Sequence, residues 1–121
     1  MIARSLLALA ALAALTGAKD DPLRGYTPSG PATRCAADSS ATPVILDGHR
    51  IGLRRGSNRM WVSEIASCPS LDPYSTLVIE RFGGGPLCRN DRFRVLTPGV
   101  TIPSRTCFFS TFTPYDRVKR R

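Results

Sequence analysis

The chain has 121 residues, a formal net charge of +8, 42% hydrophobic residues and four cysteines. That is enough chain for one small domain. The two nearest cysteines, Cys88 and Cys107, lie nineteen positions apart, so the close Cys-x-x-Cys pairs of zinc and redox sites are excluded.

Met1 to Ser5 carries one side-chain charge, Arg4, and Leu6 to Leu15 follows without a polar residue. Such a run is roughly 15 Å long as a helix, against the roughly 20 residues that a bilayer crossing needs. Thr16-Gly17-Ala18 then supplies small residues before the polar Lys19-Asp20-Asp21. A basic start, an apolar middle and a small-residue exit predict a helical signal peptide over residues 1–18, cut after Ala18, with Ala14 as the alternative. No cysteine directly follows either cut, so the expected product is periplasmic or secreted and not a lipoprotein.

Residues 19–33 hold three prolines and two glycines and predict a disordered lead-in. From Arg34 onward the signals are short strands between turns. Pro43 to Leu46 is a brief apolar run closed by the turn dipeptide Asp47-Gly48. His49 to Arg54 alternates, with Ile51 and Leu53 on one face, and Arg59 to Ile65 completes a hairpin across the turn Arg55 to Asn58. The prolines of Cys68 to Pro73 make that stretch a loop. Thr76 to Phe82 is the most β-prone run, broken by Gly83-Gly84-Gly85-Pro86. Asp91 to Leu96 alternates with Phe93 and Val95 inward, and Thr106 to Thr113 is an aromatic strand. Residues 116–121 form a basic tail. No mature stretch has helical periodicity, so the domain at 34–115 is expected to be all-β: a small disulfide-stapled barrel or sandwich of about six short antiparallel strands.

An even number of cysteines in a small exported domain predicts two disulfides. Of the three pairings, Cys68–Cys88 with Cys35–Cys107 is favoured. The first would close a loop around one strand pair, and the second would tie the start of the domain to its last strand.

Several of these residues occur together in a pattern: Asp47 before an alternating strand, Met60-Trp61-Val62, Cys68-Pro69-Ser70-Leu71, Leu87-Cys88 with Asp91, Arg94-Val95-Leu96, and Cys107 with Phe112-Thr113-Pro114. The pattern spans Cys35 to about Pro114. It resembles a domain-of-unknown-function family of short, exported, four-cysteine proteobacterial proteins, in which glycine often stands where this chain has Ser70 and Ser110. The resemblance implies an exported all-β domain and carries over no activity and no catalytic residue.

His49, the one histidine, stands two residues from Asp47, but no serine is singled out as its nucleophile and no Gly-x-Ser-x-Gly elbow exists. Glu64, Asp72, Glu80 and Asp91 are scattered as in any small domain, and no motif asks for a cofactor or a metal. Gly83 to Pro86 lacks the lysine, the hydroxyl residue and the following helix of a phosphate loop. The most suggestive feature is basic. Fifteen of the seventeen basic residues are arginine, which donates two parallel hydrogen bonds to phosphate and carboxylate. Arg50, Arg54, Arg55 and Arg59 are expected to gather at one end of the first hairpin, and Arg89, Arg92 and Arg94 form a second group. Trp61 and Phe108 are candidates for stacking beside them.

These readings order three functions. The first is a non-catalytic binding or accessory module that contacts an anionic envelope polymer or lipid headgroup through Arg50, Arg54, Arg55 and Arg59. The second is a periplasmic protein-interaction or inhibitor module that uses the loops Cys68 to Pro73 and Gly83 to Pro86. The third is a small periplasmic hydrolase. The signal peptide disfavours intracellular nucleic acid as a partner and leaves no transmembrane anchor after cleavage.

Overall fold

The computed structural model describes residues 21–37, 40–80 and 85–117. The expected signal peptide, Gly83-Gly84 of the glycine loop and Lys119 to Arg121 of the tail lie outside the described residues. In chain order the strands are β1 (Tyr26–Pro28), β2 (Thr42–Asp47), β3 (Arg50–Arg55), β4 (Arg59–Glu64), β5 (Thr76–Glu80), β6 (Arg92–Leu96), β7 (Cys107–Phe108) and β8 (Phe112–Arg117). They form a five-stranded sheet in the order β1-β8-β4-β3-β2 and a three-stranded sheet in the order β5-β6-β7. Every pairing is antiparallel, and no helix occurs among the described residues.

The alternation read in the sequence sets the packing. Ile45, Ile51, Leu53, Trp61 and Phe112 leave the inner face of the large sheet and meet Phe93, Val95 and Cys107 of the small one. The domain is therefore a sandwich. Phe109, on the crossover between the sheets, lies 4.7 Å from Phe93 and 5.7 Å from Phe112 between ring centroids. Its neighbour Ser110 is welded to β4: the Ser110 amide donates to Ser63 Oγ at 2.9 Å, and the Ser110 hydroxyl donates to the Glu64 carbonyl at 2.6 Å. Ser63 is fully buried, so these bonds satisfy a polar group that water does not reach.

The large sheet is also covered on its outer face, where Leu46, Met60 and Val62 pack with Leu23 and Tyr26. Gly52 of β3 makes room for this layer. A Cβ there would stand 2.5 Å from Met60 Sδ, so any side chain would displace the methionine.

This cover corrects the expected lead-in. Residues 21–33 are ordered: β1 pairs with β8 from Tyr26 opposite Arg117 to Pro28 opposite Tyr115, and Leu23 and Tyr26 are buried. The tail is corrected in the same contact, because Asp116 and Arg117 belong to β8. The aromatic run read as one strand divides into β7 and β8, which lie in different sheets. Pro114 is accommodated inside β8 because its carbonyl faces Ser29, past the end of β1, so its missing N–H faces that side as well.

The disulfides are Cys35–Cys88 and Cys68–Cys107, not the nested pairs expected, and no described cysteine is free. Cys35 and Cys88 face each other in an antiparallel bridge with Cα atoms 3.9 Å apart, held by Ala36 N–H to Leu87 O and Arg89 N–H to Arg34 O. Cys107 points from β7 into the core, where Cys68 meets it. The two cysteines thus take different directions from those the strand reading assumed. Two disulfides mark an oxidising compartment. Among the described residues, no helix is long and apolar enough to cross a membrane.

Candidate functional site

The first hairpin places its four arginines in different settings. Arg50 begins β3, whereas Arg54 and Arg55 end it, about 13 Å further along a strand that rises about 3.3 Å per residue. Arg54, Arg55 and Arg59 gather at the turn end of the hairpin as expected, with Arg55 opposite Arg59, and Arg50 does not join them. Arg50 is instead the centre of an ion-pair group: its Nη2 lies 2.6 Å from Asp47 Oδ2 and 3.6 Å from Asp21 Oδ1.

Asp47 also caps the following turn by accepting the His49 amide at 2.9 Å. Burial would raise the Asp47 pKa, but the Arg50 hydrogen bond, the His49 amide and the charges of Arg50 and His49 outweigh it and lower it overall. An open cleft of about 680 Å³, lined by Asp21, Asp47, Arg50 and Tyr74 among others, runs beside this group. Its one cation is already paired, with two carboxylates. The His49 ring is largely exposed, with Nε2 3.9 Å from Asp47 Oδ1, and among the described residues no hydrogen bond joins it to a serine. This is a turn histidine.

Arg59 is likewise committed. Its Nε and Nη2 donate to both oxygens of Asp116 at 2.8 and 3.1 Å, and its guanidinium carbon lies 5.8 Å from the Trp61 ring centre. Arg59 and Asp116 face each other across β4 and β8, so this bidentate pair closes the sheet. The Arg59 hydrogen bond is the main cause that holds the Asp116 carboxyl below its ordinary value.

Arg54 and Arg55 sit at consecutive positions of β3 and so point to opposite faces. Arg54 lines a hollow of about 230 Å³ on the outer face of the large sheet, together with Arg117, Tyr26, Ser57, Met60, Pro22 and Gly56. No carboxylate is part of that lining. Tyr26 organises it: its hydroxyl donates to the Ser57 carbonyl at 3.1 Å, and the Arg117 guanidinium lies 4.7 Å over its ring. Arg54 and Arg117 are therefore two cations around one small polar hollow, on a sheet whose alternation and turn fix both backbones.

Arg117 and Tyr26 were not legible as site residues, because one lay in the expected tail and the other in the expected lead-in. An isolated tyrosine among prolines and glycines was the one available signal. The second arginine group is placed on the small sheet. Arg92 and Arg94 share the outer face of β6, and Arg89 lies opposite Arg34 beside the Cys35–Cys88 bridge. Among the described residues, no group of three or more His, Cys, Asp or Glu side chains is placed to hold a metal. No family model, curated protein or solved structure matches the chain.

Proposed function

We propose that the protein is a non-catalytic binding module that works outside the cytoplasm and contacts an anionic envelope component through the arginine end of its larger sheet. The observation that carries this reading is the Arg54–Arg117 hollow, which both arginines line without a carboxylate. Guanidinium favours oxyanions such as phosphate, to which it donates paired hydrogen bonds. Beyond Arg117 the sequence adds three more basic residues, Lys119, Arg120 and Arg121. The export signal read at residues 1–18 and the two disulfides support a periplasmic or secreted location.

Retention on immobilised polyphosphate, eluted with a salt gradient, tests the reading. Arg54→Glu with Arg117→Glu is expected to elute at much lower salt than the parent, while Arg50→Gln, whose arginine is matched by Asp47 and Asp21, elutes close to it. Unchanged retention of the double variant would overturn the proposal.

A second reading is favoured by one groove. Pro43, Val44 and Ile45 of β2 and Ser75, Thr76 and Leu77 at β5 line a cleft of about 450 Å³ between the free edges of the two sheets. An extended peptide would pair there, as in a protein-interaction or inhibitor module. A partner chain that co-purifies in moderate salt would favour this reading.

A further inference from the structure

We propose that the three-stranded sheet and the β6–β7 loop dock the protein onto the surface of an anionic lipid bilayer. This rests on the anionic-envelope reading and names the physical form of the partner, but it uses a surface opposite the Arg54–Arg117 hollow. The inner faces of the two sheets meet in the core, so their outer faces look in opposite directions.

The first observation concerns apolar groups left in water. Among the described residues, four of the five large hydrophobic side chains that remain exposed belong to this region: Val78 on β5, Val100 and Ile102 in the β6–β7 loop, and Phe108 on β7. Ile102 is 78% exposed and Phe108 52%. Phe108 has Arg92 as its cross-strand neighbour, and Val78 has Arg94. Exposed apolar side chains concentrated on one sheet and its loop, and not scattered over the domain, mark an interaction site.

The second observation is charge. From Arg92 to Tyr115 the chain has three arginines and no carboxylate. Arg94 is paired with Glu80 at 3.0 Å, while Arg92 and Arg105 form no ion pair among the described residues. Apolar side chains interleaved with three arginines and a single carboxylate, Glu80, are complementary to a bilayer that offers phosphate headgroups above an acyl layer. A soluble polyanion would engage the arginines alone.

The third observation is that the loop is built to hold its apolar tip outward. Thr97-Pro98-Gly99-Val100 forms a turn closed by Val100 N–H to Thr97 O at 3.0 Å, with Gly99 at φ 80° as such a turn requires. Ser104 then pins the returning chain: its amide donates to Val95 O at 2.8 Å, and its hydroxyl accepts from the Val95 amide at 2.9 Å. Ile102 lies between these fixed points and has no core to enter.

The test is co-sedimentation with phosphatidylcholine vesicles prepared with and without phosphatidylglycerol, alongside polyphosphate retention. Binding is expected only to the vesicles with phosphatidylglycerol, and it is expected to fall as salt rises. Ile102→Ser with Phe108→Ser is expected to weaken vesicle binding about tenfold or more and to leave polyphosphate retention unchanged. As a positional readout, Phe108→Trp should shift to blue emission on the vesicles and be quenched by brominated acyl chains, while buried Trp61 stays constant. Equal vesicle binding by the Ile102/Phe108 variant, or polyphosphate retention without any vesicle binding, would overturn bilayer docking and leave the anionic reading standing. Failure to bind either probe would overturn both.

Discussion

The two sheets of the sandwich share one core but treat their outer faces differently. The large sheet spends its N-terminal segment on cover: Leu23 and Tyr26 close over Met60 and Val62, and β1 caps the free edge of β8. Among the described residues no such layer covers the small sheet, and its outer face keeps Val78 and Phe108 in water beside arginines. The disulfides follow the same contrast with the sides exchanged. The Cys68–Cys107 bridge is buried in the core behind the small sheet, whereas Cys35–Cys88 is half-exposed at the rim. The difference teaches that an exposed apolar side chain carries meaning only where the fold had chain available to cover it and used that chain elsewhere.

The largest expected effect separates the bridges. Loop-closure entropy assigns about 4 kcal/mol to each, since their loops are of similar length. Replacing Cys68 and Cys107 by alanine also removes two buried sulfurs and should cost about 1 kcal/mol more than the same change at Cys35 and Cys88. Urea unfolding measures both, and an equal or reversed order would break the contrast.

Next comes the cover itself. Tyr26→Ala should destabilise the domain by about 2–4 kcal/mol by exposing the Met60 layer, while Phe108→Ala should stay within about 0.5 kcal/mol of the parent. A large cost at Phe108 would show that this face is part of the stabilising structure.

The smallest effect is a pH dependence. Asp116 and Asp47 both have folded-state pKa values below the ordinary 3.8. Their contribution is therefore present above that value and is lost as pH falls below it, through the folded-state value. Because both groups are partly exposed and screened by solvent, the loss should be a small fall in Tm between neutral pH and pH about 3. Arg59→Gln combined with Asp116→Asn should flatten that part of the profile. An undiminished acid slope in this variant would assign it to other carboxylates.

Local signals carried much of this fold and little of its closure. The alternation at Ile51 and Leu53, the turn at Asp47-Gly48 and the inward Phe93 and Val95 placed β2, β3, β4 and β6 close to where they lie. Period-two patterning depends only on neighbouring residues, so it is visible in the chain itself. The pairing of Tyr26 with Arg117 and of Cys35 with Cys88 joins positions far apart in sequence, and no local pattern encodes which distant strand is met. The hairpin arginines failed for a related reason. Their proximity along the chain was legible, but Arg59 is neutralised by Asp116 from the far end of the domain, and Arg50, paired with its neighbour Asp47, also meets Asp21 from the other end. Arg54 remained a candidate because its companion, Arg117, is a cation as well.

The bridges interleave along the chain, since Cys68 lies inside the Cys35–Cys88 loop and Cys88 inside the Cys68–Cys107 loop. Any single peptide cut between Cys35 and Cys107 therefore leaves one covalent body. The stretch from Cys68 to Cys88 is spanned twice, and it contains Tyr74, the most exposed aromatic side chain described. A protease that cleaves after Tyr74 adds one water to the mass and releases nothing until thiols are supplied. In surroundings rich in peptidases, the crossed bridges convert a severed chain into a nicked one.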